Sequence, residues 1–536
     1  MATKKSLFAC FLTCALFCPL AAITDKIDLP FVDDPAVLGR WKSVAYARSQ
    51  ALFSPAAIPA DPDLFYKGLE FLPGGKIDNP EQTWTKGALI SPADKTASRY
   101  TIKNMDGMDY MFLEWKSGDY ILRDMPPGYY VLVREHDYAK TNAGRGKQGG
   151  SYAENTTDCL TNTAKPGICR RPVAAKFTPA QLKSLPGYIP DSDEMWQLDL
   201  RGMDISDLPL SGRTTDLMYA DFDSLTEFPK ELPEGFDPEA ILESGKDPGL
   251  GIRALHRKGI TGKGVSIAII DQPLLVGHKE YASSLKSYEE LFMRVKKSPA
   301  SMHGAAVASI AVGKTCGVAP GADLYYIGAD FWGSPGGIDF KYLAAAIDRV
   351  AAISEALPEG KKIRVISISR GFNRSDRGAG ALMRSIANAM NKKIMVLTTS
   401  PELYYNFDFM GLGREPGADP DSRDSYGPGL FWQKRFFSSD KWGSETMLLV
   451  PMDSRTTASP TGDNDYVFYR QGGLSWSTPY IAGLYALACQ LDPDLTPEAF
   501  FKKALETSAS GTIKHDGREF QLKRVIAPAR LLKSKL

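Results

Sequence analysis

The sequence is poor in the residues that carry metal-binding and acid–base chemistry, because its 536 residues include only 5 histidines and 7 cysteines. No Cys/His spacing matches a zinc site. Charge of one sign is also lacking. The 64 basic residues balance 63 acidic ones, which gives no electrostatic reason to expect nucleic-acid binding. With 43% hydrophobic residues, the composition favours a globular protein of two or three domains.

A long apolar run occurs only at the N-terminus. Lys4 and Lys5 precede an apolar stretch from Leu7 to Ala22, which is typical of a secretory signal peptide over residues 1–22. The stretch is too short to favour a stable membrane span. We therefore expect an exported soluble protein that is secreted, periplasmic or held at the cell surface.

Three of the seven cysteines lie in this N-terminal run, which leaves four for the rest of the chain. Cys159 and Cys169 flank nine residues of loop-like composition. They are candidates for a local disulfide in an oxidising compartment, with two free thiols as the alternative. Cys316 and Cys489 lie in apolar segments and are expected to be buried as small hydrophobic residues.

Two acidic loops are candidates for binding calcium. Asp419–Asp421 and Asp463–Asp465 each contain two carboxylates, and carboxylate oxygens are calcium ligands. A structural calcium ion is one interpretation of these loops, and an ordinary solvated loop is the other. No cofactor is expected otherwise.

Asp271 ends an apolar, β-branched run. The run Val265–Ile270 follows a glycine-rich turn and predicts a buried parallel strand with an acid at its C-terminal edge, where open α/β folds place their sites. A buried carboxylate is costly unless it is hydrogen-bonded, and an imidazole N–H is a suitable partner. The alternative is an ordinary aspartate that caps a helix after the strand.

His303 opens a run of small residues, with glycine or alanine at positions 304, 305, 306 and 308. These residues allow a helix to approach a sheet closely, so that an imidazole in the first turn is held against the acid. A structural histidine is the alternative. The remaining histidines lie in no comparable sequence setting: His136, His256, His278 and His515.

Ser475 lies at a glycine-led turn into a predicted helix. Gly472 and Gly473 precede it, and an apolar run continues from Pro479 to Ala488. The helix N-terminus offers backbone N–H groups to a developing oxyanion. Pro479 is expected in the opening turn, where its missing N–H costs no helical hydrogen bond. A helix-capping serine is the alternative.

These three segments, in the order Asp, His, Ser, resemble the subtilisin-like serine proteases (subtilases, peptidase family S8). The stretch Gly317–Tyr325 after the histidine strengthens the resemblance. It implies that Ser475 is the nucleophile, that His303 is the general base and acid, and that Asp271 orients the imidazole. It also implies a serine endopeptidase that acts through an acyl-enzyme on unfolded or loop-exposed polypeptide.

A further segment, Val365–Gly371, resembles the strand along which subtilases bind the peptide backbone as an added β-strand. By this resemblance Arg370 and Phe372 line subsites for acidic or apolar residues. A solvated surface arginine is the alternative for Arg370.

The chain departs from the subtilase pattern at two places. Gln272–Pro273 follow the acid where the family continues with Thr/Ser-Gly. The predicted strand Ile394–Leu397 is followed by Thr398–Pro401, where the family has an Ala-Ala-Gly-Asn run whose asparagine binds the oxyanion. Losing one such donor slows related chemistry by roughly 10²- to 10³-fold.

The sequence leaves open which group replaces this asparagine, with Thr399, Ser400 and Asn406 as the candidates. It therefore also leaves open a second function. In that interpretation the chain is a catalytically weak or inactive subtilase scaffold that binds a ligand or a partner.

Residues 34–135 predict a separate all-β domain. Gly39-Arg40-Trp41 is followed by alternating, aromatic-rich runs separated by glycine turns, a pattern typical of an antiparallel meander. The Gly-x-Trp opening resembles the start of lipocalin-like barrels, whose interiors can hold one small ligand. A filled barrel or sandwich without a ligand is the alternative.

The remaining chain divides by composition into a connector and an α/β domain. Residues 136–245 are rich in Pro, Gly, Asp and Ser and predict a partly extended connector. Residues 246–536 alternate predicted strands and helices, which favours a doubly wound parallel sheet of subtilisin type with helices on both faces.

Overall fold

The structure is a computed structural model that describes residues 25–47, 50, 53–55, 58, 66–80, 82–92, 96–115, 128–142, 167–176, 180–190, 196–293, 297–329, 338–438 and 445–533. The predicted signal peptide and Cys159 lie outside these residues. The chain divides into two compact units. One takes its described residues from 1–56 and 67–142, and the other from 57–66 and 143–536.

The first unit is a closed, eight-stranded antiparallel barrel, which confirms the β-barrel predicted for this part of the chain. Each strand pairs with the next, and the first strand closes the barrel against the last. The elements are β1 (Gly39–Ala47), β2 (Gly68–Leu72), β3 (Lys76–Ile77), β4 (Thr83–Thr85), β5 (Ala88–Ser91), β6 (Thr96–Met105), β7 (Met108–Trp115), β8 (Gly128–Arg134) and helix α1 (Glu135–Asn142).

Aromatic rings fill much of the barrel core. The ring of Phe71 lies edge-on to those of Trp84 and Tyr100. Trp41 is buried, and the guanidinium of Arg134 lies 4.3 Å from the centre of its ring. An open depression of about 420 Å³ lies next to this pair, lined in part by Leu38. A small ligand for the barrel stays a prediction.

The second unit has more elements. Before the central sheet come β9 (Ala180–Gln181), β10 (Leu198–Asp199), β11 (Met203–Asp204), α2 (Thr214–Met218), β12 (Ala220–Asp223), α3 (Pro238–Gly245) and α4 (Ile252–Arg257). The central region contains β13 (Ser266–Asp271), β14 (Leu285–Leu291), α5 (Met302–Val312), β15 (Asp323–Ala329), α6 (Lys341–Ala356), β16 (Ile363–Ser367), α7 (Ala379–Asn391) and β17 (Met395–Leu397). The last part contains β18 (Asp408–Arg414), β19 (Tyr426–Pro428), α8 (Gln433–Ser438), β20 (Met447–Pro451), β21 (Arg455–Ala458), β22 (Tyr466–Tyr469), α9 (Leu474–Leu491), α10 (Pro497–Glu506), β23 (Ala509–His515), β24 (Arg518–Val525) and α11 (Pro528–Leu531).

The central sheet is parallel, as the alternation of strands and helices predicts, and the order of its strands is β14-β15-β13-β16-β17. Successive side chains of β13 point to opposite faces. Ile267 and Ile269 pack in the hydrophobic cluster that contains α5 and α9, while Ala268 and Ile270 pack in the cluster that contains α6 and α7. The sheet is therefore covered by helices on both faces, which confirms the doubly wound α/β fold.

The interpretation of residues 136–245 as a partly extended connector does not describe residues 196–245. Leu198, Phe222 and Ile241 belong to a buried hydrophobic cluster of this stretch. Its strand β12 lies in a four-stranded sheet of order β10-β12-β22-β21, beside a strand from near the C-terminus. The hydrophobic periodicity is weak because the segments are short and obtain their partners from distant parts of the chain.

Local features of the second unit include a helix cap and the state of three cysteines. The side chain of Thr496 accepts a hydrogen bond from the backbone of Ala499 and caps α10. Cys316 and Cys489 are buried free thiols, and Cys169 is disulfide-bonded. In the part of the chain that the structure describes, no helix is both long enough and apolar enough to cross a membrane.

Candidate active site

Asp271 is the last residue of β13, at the C-terminal edge of the central sheet. Its side chain is only 6% exposed, so its charge requires partners inside the protein. Oδ1 accepts hydrogen bonds from the backbone N–H of Gln272 at 2.8 Å and from Nδ1 of His303 at 2.7 Å. Gln272, the first residue that departs from the subtilase pattern, thus supplies a backbone donor to the acid.

His303 lies in the first turn of α5, and the loop after Asp271 fixes the start of this helix. Ser301 is the N-cap residue, because its hydroxyl accepts a hydrogen bond from the backbone N–H of His303 at 3.1 Å. The same hydroxyl donates to the side-chain carbonyl of Gln272. The backbone N–H of Ser301 donates to the carbonyl of Pro273 at 2.7 Å. Gln272 and Pro273 therefore position the histidine as well as the acid.

The close approach of this helix to the sheet depends on Gly304. A Cβ atom at this position would lie 2.6 Å from the carbonyl oxygen of Gln272 and 2.6 Å from the hydroxyl of Tyr326. These two atoms are themselves joined by a hydrogen bond of 2.5 Å, which the Tyr326 hydroxyl donates. A larger residue at 304 would move the helix, and the imidazole with it.

The charges around His303 act in opposite directions on its pKa. Burial is the largest cause and lowers the pKa, and the positive charge of Arg370 lowers it further. The negative charge of Asp271 and its hydrogen bond to Nδ1 raise the pKa. The net result is a pKa above the usual value for histidine. With Nδ1–H bonded to Asp271, Nε2 of the neutral ring is left as a proton acceptor.

Ser475 is the second residue of α9, which begins at Leu474. Pro479 therefore lies inside the helix, and the prediction that it lies in the opening turn is wrong. Because proline has no N–H, the carbonyl of Ser475, four residues earlier, has no helical donor. The hydroxyl of Ser369 donates to this carbonyl at 2.8 Å.

The structure joins two of the three predicted catalytic side chains directly. Asp271 and His303 share a hydrogen bond, while the hydroxyl of Ser475 donates to the carbonyl of Ser369 at 3.4 Å. Among the described residues, Ser475 has no hydrogen bond to His303. Trp476, the residue after Ser475, has a buried ring whose centre lies 5.4 Å from the centre of the His303 ring.

The loop before Ser475 is held by a buried carboxylate that the sequence analysis missed. Asp453 is 1% exposed. Its Oδ1 accepts from the backbone N–H of Gly472, and its Oδ2 accepts from the backbone N–H of Leu430, both at 2.8 Å. A Cβ atom at Gly472 would lie 2.6 Å from the carbonyl of Met452, so only glycine fits here. An aspartate two residues after the apolar run of β20 was the available signal.

The segment that replaces the family's asparagine run has most of its hydroxyls in use. The Thr398 hydroxyl is paired with the hydroxyl of Tyr404 at 2.7 Å. The Ser400 hydroxyl accepts from the backbone N–H of Phe372 at 3.2 Å. Asn406 is exposed. Thr399 is half-buried, and its Oγ1 would lie 2.7 Å from a Cβ at Gly371.

Neither Phe372 nor the two acidic loops forms an open binding site among the described residues. Phe372 does not line an open subsite, because its ring is 4% exposed and packs against Phe340 and Tyr404. In the acidic loops, Asp421 accepts from the backbone N–H of Gly251, and Asp465 accepts from the hydroxyl of Thr461. Within the described ranges, no group of three or more His, Cys, Asp and Glu side chains is arranged to hold a metal ion.

Comparisons with known proteins cover part of the chain. Residues 262–400 match the model of the Subtilase family, Peptidase_S8, a stretch that contains Asp271 and His303 and ends before Ser475. The subtilisin-like protease PopC of Myxococcus xanthus is 26% identical over 301 residues, which cover 49% of this chain and 60% of that protein. A protein of Deinococcus radiodurans, named as a probable subtilase-type serine protease, is 25% identical over 315 residues, which cover 52% of this chain and 40% of that protein.

The chain thus spans less than two thirds of the length of either relative. Among solved structures, the prenylagaramide maturation protease PagA aligns with a TM-score of 0.37 at 16% identity, over 53% of this chain and 98% of that one.

Proposed function

We propose, from the match of residues 262–400 to the model of the Subtilase family, that the protein is a serine endopeptidase with Asp271, His303 and Ser475 as its catalytic residues. The observation that carries the proposal is the 2.7 Å hydrogen bond between Asp271 and His303, which leaves Nε2 of a half-buried imidazole as the proton acceptor. The position of Ser475 at the start of a buried helix, one residue before the ring that contacts His303, supports it.

In the proposed mechanism, the Ser475 side chain turns from the carbonyl of Ser369 toward His303. Its oxygen attacks the scissile carbonyl while Nε2 of His303 accepts the hydroxyl proton. Asp271 stabilises the imidazolium that results. The C–N bond then breaks as Nε2 donates this proton to the leaving amine, which leaves an acyl-enzyme on Ser475. Water hydrolyses the ester by the same steps in reverse.

The negative charge of the tetrahedral intermediate requires donors near Ser475. The start of α9 provides backbone N–H groups and the positive end of the helix dipole. We assign the side-chain contribution to Thr399, because Ser400 already accepts a hydrogen bond from Phe372 and Asn406 lies exposed beyond the strand end. A threonine hydroxyl would supply one donor at this position, as the asparagine of the family does.

The proposed substrates are polypeptides in extended conformation. The chain that continues from β16 through Ser369 and Arg370 runs next to Ser475, and its backbone would pair with the substrate as an added strand. Arg370 lies close enough to His303 to affect its pKa, so its charge would favour an acidic residue near the scissile bond. The apolar N-terminal run suggests that this activity is exported.

The second candidate is a binding scaffold without catalysis. Two observations favour it. Thr398–Pro401 follow strand β17 in place of the family's Ala-Ala-Gly-Asn run. The hydroxyl of Ser475 donates to the carbonyl of Ser369 rather than to His303. In this case the protein would bind polypeptide without cleaving it.

Treatment with a fluorophosphonate probe, followed by mass spectrometry of the intact protein and its peptides, separates the two functions. A nucleophile and base that work together give one adduct, on Ser475, that is lost in Ser475→Ala and in His303→Ala. Ser477→Ala is the matched control. Ser477 is a buried serine two residues along the same helix, with its hydroxyl 3.5 Å from the carbonyl of Pro451, and its loss should leave labelling intact. Folded protein that takes up no probe would overturn the proposal in favour of the scaffold.

A further inference from the structure

The strand that leads to Ser475 has a neighbour from far upstream in the chain. β22 pairs with β21 on one edge and with β12 on the other. In the second pairing Phe222 lies opposite Phe468, and Asp223 lies opposite Val467. We call residues 196–224 the upstream segment. It lies outside residues 262–400, the stretch that matches the subtilase model.

The side chains of the upstream segment extend this pairing toward Ser475. The guanidinium of Arg201 lies over the ring of Tyr469 and is 3.3 Å from its hydroxyl. Oδ1 of the buried Asp221 accepts a hydrogen bond from the backbone N–H of Arg470 at 2.8 Å. The upstream segment thus continues to bind the chain beyond the end of β22.

Arg470 contributes its side chain as well as its backbone. The residue is 1% exposed. Its Nε donates to the carbonyl of Met218 at 3.1 Å, and its guanidinium lies 4.5 Å from the centre of the Tyr219 ring. It also forms an ion pair with Glu415 at 2.7 Å. A buried guanidinium with these partners fixes the backbone of residue 470, because movement would leave its charge unpaired.

Trp196 binds both the backbone and the side chain of Gln471. The indole N–H of Trp196 donates to the backbone carbonyl of Gln471 at 3.0 Å, and the backbone N–H of Trp196 donates to its side-chain carbonyl at 3.0 Å. Each of the consecutive residues 467–471 therefore contacts the upstream segment. The next residue, Gly472, is held by Asp453, and Ser475 follows three residues later.

We propose that Asp221 and Trp196 of the upstream segment are positioning residues that hold the loop 470–473 and thereby place Ser475. The inference rests on the proposed function. A purely structural role for the upstream segment would affect folding stability alone. A positioning role changes the reactivity of Ser475 in protein that is folded, and it changes kcat more than KM.

The test uses the full-length protein and measures the second-order rate constant for fluorophosphonate labelling of Ser475, with kcat and KM for a peptide substrate. Asp221→Ala leaves the N–H of Arg470 without its buried acceptor, and we expect labelling and kcat to fall about 10-fold or more, with KM little changed. Asp221→Asn keeps an acceptor oxygen and should recover most of the rate. The matched control is Asp204→Ala in the same segment, because among the described residues the Asp204 carboxylate accepts hydrogen bonds from Ser206 and not from the loop 470–473. Its labelling rate and kcat should stay within about twofold of the wild type.

Trp196→Phe covers the outcome in which Asp221→Ala does not fold. It removes the indole donor to Gln471 from a residue that is 52% exposed, so the fold should be retained while labelling falls several-fold. Wild-type rates in folded Asp221→Ala or Trp196→Phe would overturn the proposal.

If the wild-type protein itself takes up no probe, the proposed function fails and the loop is tested separately. Amide hydrogen exchange at residues 470–473 should accelerate at least 10-fold in Asp221→Ala and remain unchanged in Asp204→Ala. Equal exchange in all three proteins would refute the positioning role independently of catalysis.

Discussion

Ser369 and Ser475 are joined by reciprocal hydrogen bonds. The hydroxyl of Ser369 donates to the carbonyl of Ser475 at 2.8 Å, and the hydroxyl of Ser475 donates to the carbonyl of Ser369 at 3.4 Å. The first bond replaces the helical hydrogen bond that Pro479 cannot make. The first bond fixes the backbone of Ser475, the proposed nucleophile, against the chain that follows strand β16. The second bond holds the Ser475 hydroxyl on the carbonyl of Ser369.

Ser369→Ala tests the first bond. The Ser475 carbonyl would lose its donor, so we expect the free energy of unfolding to fall by about 1–2 kcal/mol and the labelling of Ser475 to slow several-fold. Pro479→Ala supplies a helical N–H to the same carbonyl, and the effect of Ser369→Ala should be smaller in that background. A double-mutant cycle by urea unfolding measures this difference. Additive effects would show that the hydroxyl and the missing helical donor are unrelated.

Asp271→Asn should change both the rate and its pH dependence. Activity requires a neutral His303, so kcat/KM falls as the pH drops through the raised pKa of this histidine. Removing the Asp271 charge leaves burial and Arg370, which both lower the pKa, so the acid limb should move to lower pH while kcat falls roughly 10³- to 10⁴-fold. Arg370→Ala removes a charge that lowers the pKa of His303, so this variant should move the acid limb to higher pH. A limb that moves in neither variant would mean that His303 is not the titrating base.

The interaction of Asp271 with His303 also predicts how the stability of the fold changes with pH. The pKa of His303 is raised in the folded protein. Its contribution to stability is therefore fully present below the usual histidine pKa and is lost as the pH rises through the raised value. His303→Ala should flatten this part of the curve of unfolding free energy against pH.

Thr399→Val tests the proposed oxyanion donor by replacing the hydroxyl with a methyl group of similar size. We expect kcat to fall about 10- to 100-fold with KM little changed, because the donor acts only when the oxyanion forms. Asn406→Ala is the control from the same loop and should leave kcat within about twofold of the wild type. Steady-state kinetics on one peptide substrate are sufficient. An unaffected Thr399→Val enzyme would leave the backbone N–H groups of α9 as the donors.

Two buried carboxyl groups near the loop before Ser475 predict a further pH effect. Burial raises the pKa of Asp453 and of Asp221 to about 7 from an ordinary value near 3.8. At Asp453, the positive charge of Arg470 lowers the pKa and the negative charge of Glu415 raises it. At Asp221, the charge of Arg201 lowers the pKa and the charge of Asp199 raises it. Because both pKa values are raised, the stability contribution is present below pH 4 and is lost as the pH rises through 7.

Between these limits each group should lower the free energy of unfolding by up to about 1.4 kcal/mol per pH unit. Asp453→Asn cannot ionise, so its unfolding free energy should fall less steeply between pH 4 and pH 7 than that of the wild type. Urea unfolding at pH 5, 6 and 7 measures the slopes. Parallel curves for the two proteins would contradict the raised pKa.

The parallel central sheet was predictable because the information is local. The β-branched run that ends at Asp271 and the small residues after His303 each determine one element and one contact, and the structure has both as predicted. Pro479 was misplaced because the donor that makes it tolerable in the helix, Ser369, lies 106 residues away.

The contacts of the upstream segment could not be predicted for the same reason. Nothing near Asp221 indicates that its acceptor oxygen faces Arg470, and the short strand β12 has too few residues for a period to be recognised. Asp453 illustrates an intermediate case. Its place after an apolar run is visible in the sequence. Its hydrogen bonds from the backbone N–H groups of Gly472 and Leu430 depend on two loops, one before and one after Asp453 in the sequence.

The pairing of β12 with β22 also constrains the order of events during biosynthesis. Asp221 and Arg470 are 249 residues apart in sequence, so the ribosome has released all of the chain between them before this contact can form. Contacts of such long range are formed late and slowly. Nascent or truncated chains that end before residue 466 therefore have an unpaired β12 edge and lack Ser475, the proposed nucleophile. The proposed protease would therefore be inert until the ribosome has passed residue 475.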